Sequence, residues 1–77
     1  MYELLGEAES ILNKKTLSVK DYNRFTEIGQ SITDDELLFY YDNLAEAFEL
    51  RLPEIANTVG NFDFIVDWFI TKVLIFH

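Results

Sequence analysis

Residues 33–50, "TDDELLFYYDNLAEAFEL", decide the fold class. Thr33 followed three positions later by Glu36 has the form of a capping box, in which each side chain satisfies a backbone N–H left open by the first helical turn. At about 100° per residue, the apolar side chains that follow gather on one side of a helix. They are Leu37, Leu38, Tyr41, Leu44, Ala45 and Phe48, with Leu52 just beyond. A half-buried strand would alternate at every second residue, and this run does not. The spacing predicts a long amphipathic helix from residue 34 to about residue 51, with that stripe against a core.

The other side of the same helix carries Asp35, Asp42, Glu46 and Glu49. These four fall within roughly 60° of one another and form a ridge about 21 Å long. Phe39, Asn43 and Leu50 lie beside the ridge, off the core stripe. Two readings stand. One is an ordinary solvated face with stray apolar residues, as most surfaces have. The other is a docking surface, since binding hot spots combine an apolar anchor with a charged rim and a line of carboxylates imitates a row of phosphates. Asp34 and Glu36 need no such account, because acids at a helix start complement its positive end.

Working outward, Leu4, Leu5, Ala8, Ile11 and Leu12 recur at helical spacing and predict a first helix ending near Asn13. Lys14 and Lys15 suit its negative C-terminal end. Ser18 reads as the next N-cap, with Asp21 in a capping-box position. Tyr22, Phe25, Ile28 and Ile32 stripe the second helix, and Gly29 lies near its end. Pro53 cannot continue the long helix without losing a backbone hydrogen bond. It opens a short helical turn, "PEIANTV", closed by Gly60, with Asn61 as N-cap of a last helix. That segment is rich in β-branched and aromatic residues, but there is no second strand candidate to pair with it. The expected fold is all-α: a compact bundle of about four helices with a short helical turn before the last, in one domain covering residues 1–77.

In the last helix Asp63, Asp67 and Thr71 share a narrow stripe, and most of the remaining ~240° is apolar. Trp68 reads as a core anchor. Phe62, Val66, Phe69, Val73 and Phe76 form a surface expected either to be covered by the other helices or to drive self-association.

Composition narrows the function classes. Fourteen acids stand against six Lys and Arg, giving a net charge of −8. Direct nucleic-acid binding rests on neutralising phosphates with basic groups, so it is not expected. Anionic membrane surfaces are disfavoured for the same reason, and a basic protein surface is the favoured partner. Residues 62–76 make roughly 22 Å of helix, short of a ~30 Å hydrocarbon core. With no basic n-region at the start either, a cytoplasmic location is expected. No cysteine is present, so stability rests on packing or a partner, a homodimer being the alternative. A single histidine, His77, supplies neither a metal cluster nor a base for nucleophilic catalysis. Three glycines form no phosphate-cradling loop and no calcium-loop motif occurs, so no enzyme activity, cofactor or metal is expected.

The segment 33–55 resembles the helical hairpin of the sporulation-checkpoint inhibitors of sensor histidine kinases, through Asp35-Glu36-Leu37-Leu38, Ala45, Leu50 and Ile55. The resemblance covers under a third of the chain, and the long apolar C-terminal segment departs from that family. It implies a small helical inhibitor of another protein. Bacterial nuclease-immunity proteins and phage-encoded inhibitors are similarly acidic, which suggests a DNA-mimic mode. The sequence therefore leads to a non-enzymatic inhibitor or adaptor that docks an acidic helix face on a basic surface.

Overall fold

Five α-helices form among the described residues, and their ends lie close to where the sequence supplies stop and start signals. They are α1 (Tyr2–Leu12), α2 (Val19–Ser31), α3 (Asp35–Glu49), α4 (Leu52–Val59) and α5 (Asp63–Phe76). The computed structural model describes residues 2–60 and 63–76, with the backbone alone described for Val59, Phe64 and residues 73–76. The turn expected at "PEIANTV" is a helix in its own right, with Pro53 in its first turn and Gly60 closing it in the left-handed conformation at φ 67°. That conformation is open to glycine at little cost. Asn61, the expected cap of α5, lies outside the described residues.

The start of α2 matches its sequence signal in full. Ser18 Oγ accepts from the Asp21 N–H at 3.3 Å, and the Ser18 N–H donates to Asp21 Oδ2 at 3.0 Å. The start of α3 is a correction. Asp34, not Thr33, is the N-cap, and its Oδ1 accepts from the N–H groups of Glu36 and Leu37 at 2.9 and 3.1 Å. Both residues are good caps, but a carboxylate adds charge at the positive helix end. α3 also ends two residues earlier than its periodicity suggests, at Glu49, where the Arg51 N–H turns back to the Phe48 carbonyl.

Helix α1 packs on α2 and α3, and α5 packs on α2, α3 and α4. Their buried faces meet in one cluster with aromatic rings at its centre. Phe25 of α2 and Phe48 of α3 stack with centroids 4.0 Å apart and planes 5° from parallel. Trp68 of α5 leans on Phe48 at 5.3 Å, and Tyr41 on Phe25 at 5.1 Å. Each such side chain contributes about 1.5–3 kcal/mol through burial. The Tyr41 hydroxyl donates to the Phe25 carbonyl at 2.7 Å, so its polar atom is satisfied. Gly29 makes this approach possible. A Cβ at that position would lie 2.6 Å from the Tyr41 ring and hydroxyl.

The junction after α1 is held by ionic clips. Arg51 Nη1 donates to the carbonyls of Leu12 and Lys14, both at 2.7 Å, and Nη2 to that of Lys15 at 3.2 Å. The same guanidinium forms a two-bond pair with Glu54. The positive charge at the α1 terminus thus comes from Arg51, 39 residues along the chain from Leu12. Lys14 instead extends to Asp21 Oδ1 at 2.7 Å. Arg24 clamps both oxygens of Glu7, joining α2 to α1, and also reaches Glu27.

These contacts set two expected outcomes. Gly29→Ala should destabilise the fold by about 1–3 kcal/mol in chemical denaturation, although alanine is the better helix former. A stabilised Gly29→Ala protein would contradict the close approach of α2 and α3. The second outcome concerns pH. Burial raises the Asp21 carboxyl, but hydrogen bonds from Lys14 and Ser18 outweigh it and hold the group below its ordinary 3.8. Burial pushes the Tyr22 phenol up from 10.0 to about 12, with the Asp67 carboxylate adding to the effect. The unfolded chain binds the Asp21 proton first as pH falls through 3.8, and loses the Tyr22 proton first as pH rises through 10. Thermal unfolding should therefore show stability falling on both sides, with the alkaline loss running from 10 towards 12. Asp21→Asn should flatten the acid limb.

Candidate functional site

Once Tyr41, Ala45 and Phe48 are turned inward, helical geometry aims the other side of α3 at solvent. Of the four ridge acids and the three residues beside them, six lie on this open face. Asp35, Asn43 and Glu46 are exposed and Asp42 is half-buried. Phe39 is 65% exposed and Leu50 82%. These are large values for residues of that size. The Phe39 ring meets the Tyr40 ring edge-on at 6.1 Å, so two adjacent aromatic side chains stand on the surface.

Glu49 is different. Its Oε1 accepts from Trp68 Nε1 at 2.8 Å and from Lys72 Nζ at 3.3 Å, and the side chain is mostly buried against α5. It belongs to the α3–α5 joint and has a sufficient structural reason to be acidic, so it leaves the ridge. The acidic face therefore runs from Asp35 to Glu46, with Leu50 at its far end.

The charge around this face is one-sided. Helices α1 and α3 together carry eight carboxylates and no Lys or Arg. Glu7 is held by Arg24 and Glu49 by Lys72. Among the described residues, Glu9, Asp35, Glu36, Asp42 and Glu46 have no Lys or Arg partner. The cations Lys14, Arg24, Arg51 and Lys72 are all engaged with acids of their own.

Beside the ridge, α1 and α3 leave an open groove of about 490 Å³. Tyr2, Leu5 and Glu9 line it from α1, and Tyr40, Asn43 and Leu44 from α3. Periodicity alone missed Tyr2 and Tyr40, because residues at the edge of a stripe are exposed or covered according to where the next helix lies. The signal available for Tyr40 was its place one turn before Asn43 and Leu44.

On α5, Trp68 is buried as expected, and Val66 and Phe69 are exposed on the outer side. Ile70 is exposed with them and extends the surface. Phe62 lies outside the described residues, as do the side chains of Val73 and Phe76. Among the described residues no helix is long and apolar enough to cross a membrane, and no three His, Asp or Glu side chains converge as a metal site requires.

Compared with known proteins, the chain matches no family model, no curated protein and no solved structure.

The division between ridge and joint is open to a direct comparison. Glu46→Gln should change unfolding stability by under about 0.5 kcal/mol, as for most surface positions. Glu49→Leu should lose about 1–3 kcal/mol, because the Trp68 N–H and the Lys72 ammonium lose their acceptor. Urea denaturation followed by Trp68 fluorescence measures both. Equal effects would place Glu49 back on the open face.

Proposed function

We propose that the protein is a small non-enzymatic binding module, an inhibitor or adaptor, that docks the outer face of α3 on a basic surface of another protein. Asp35, Asp42 and Glu46 supply the charge, Phe39 and Leu50 the apolar anchors, and Asn43 a neutral hydrogen-bonding group between them. The observation that carries this reading is the segregation of charge. Most cations are engaged in clips elsewhere, while the acids of this face have no internal counter-ion among the described residues. Acids placed for solubility alone need no large exposed apolar residues between them, and here Phe39 and Leu50 are such residues. The spacing of the carboxylates along one helix face also suits a protein surface evolved to hold phosphates, so a nuclease or other nucleic-acid-binding effector is the favoured partner class.

A second reading is supported by α5. Val66, Phe69 and Ile70 are exposed together on one side of a helix that is apolar over most of its surface, which favours self-association through that face. The two readings differ in their response to salt. A charge-driven complex weakens as ionic strength rises, and an apolar dimer does not.

The test is affinity capture of partners with mass spectrometry, repeated with Asp35, Asp42 and Glu46 all replaced by lysine. The captured partner should be lost with the triple variant and should weaken steeply with salt. With the purified pair, Phe39→Ala should raise the Kd about tenfold or more, the effect of removing a hot-spot anchor. Unchanged capture by the triple variant would remove the α3 face from consideration. Sedimentation of Phe69→Lys against the parent protein decides the second reading, a strict monomer in both cases refuting it.

A further inference from the structure

The groove between α1 and α3 holds a residue that the fold does not explain. Gly6 sits in the middle of α1, where glycine weakens a helix by up to about 1 kcal/mol relative to alanine. A Cβ at this position would meet nothing within 4 Å, so no neighbouring atom requires the missing side chain. Gly60 and Gly29 have a turn and a close approach to account for them; Gly6 has neither. What its missing side chain does is open the groove, whose wall it forms beside the half-buried Leu5 and Leu44.

The surroundings specify the chemistry of an occupant. The exposed rings of Tyr2 and Tyr40 border the groove and suit both an apolar side chain and a neighbouring cation. Glu9 stands in its lining without a Lys or Arg partner, and neither helix that forms it carries a basic residue. From residue 2 to residue 9 the α1 wall rises about 10 Å, or two helical turns. A surface groove of that length between two packed helices accepts a third helix through apolar residues one turn apart. A second copy of this chain is a poor occupant, since each copy carries −8 and its exposed apolar helix α5 brings Asp63 and Asp67.

We infer that the α1–α3 groove seats the apolar stripe of a basic amphipathic helix, with Leu5, Gly6 and Leu44 receiving its anchor and Glu9 its cations. This rests on the reading of the molecule as an acidic binding module, and adds that the partner presents a helix and that recognition extends from the α3 ridge across to α1.

The probe is a fluorescent helix-forming peptide with leucines at i and i+4 and lysines around them. A second peptide of the same composition has its leucines dispersed around the helix. Fluorescence anisotropy should show the amphipathic peptide bound more tightly by the parent protein. Gly6→Leu, which fills the groove, should weaken that binding about tenfold or more with the melting temperature unchanged or raised. Unchanged binding by Gly6→Leu, or equal binding of the two peptides, overturns the groove while leaving the acidic-face reading standing. Failure of both basic peptides to bind overturns both. If Gly6→Leu does not fold, amide shifts of the parent protein decide instead. Changes at Leu5, Gly6 and Leu44 support the groove, and changes confined to the α3 ridge refute it.

Discussion

The parallel contact between the rings of Phe25 and Phe48 is the constraint on which the rest of the molecule depends. It fixes how far apart α2 and α3 lie and which side of each faces inward. The distance is attainable because Gly29 leaves room for the Tyr41 ring, whose hydroxyl finds the Phe25 carbonyl. Trp68 then completes the aromatic layer and brings α5 with it, while its N–H reaches Glu49. With Phe48 and Tyr41 turned inward, the 100° step of the helix leaves Phe39 and Glu46 no other direction but outward. The candidate surface follows from the core.

The charged groups sort into two populations with different work. Those that join elements are paired: Arg24 with Glu7, Lys14 with Asp21, Arg51 with Glu54 and with the end of α1, Lys72 with Glu49. The more exposed of these pairs contribute little stability individually, so their value lies in setting where elements meet. Consuming cations in these joints concentrates the uncompensated negative charge on α1 and α3. Such concentration works against the compact state through self-repulsion and favours approach by a positively charged surface.

Much of the core was legible from spacing alone. The stripes through Tyr22, Phe25 and Ile28 and through Leu37, Tyr41 and Phe48 are buried, as is Trp68, and no strand forms among the described residues. The Ser18–Asp21 box and the Gly60 stop were equally visible, because each is a local arrangement of a few residues. Legibility failed where a residue's role is set by another element. Glu49 shares the face of Asp42 and Glu46 on a helical wheel, and the wheel contains no information about α5. Arg51 looked like an ordinary helix end, because the carbonyls it binds are far away in sequence. Thr33 and Asp34 compete as adjacent caps of similar quality, a choice that neighbouring geometry decides. By propensity alone Gly6 only weakens α1, and the groove it borders exists only with α3 beside it.

The grip of Arg51 on the last carbonyl of α1 and on two carbonyls just beyond it has a consequence in time. An isolated helix of eleven residues with a glycine at its centre is marginal in water. The residue that completes its C-terminal end is made long after it. The end of α1 therefore stays without this partner until the end of α3 has been made. Arg51 is the latch that secures the opening segment to the end of α3. The α1 wall of the groove is held by that latch, so a chain halted before residue 51 lacks the tie that secures it.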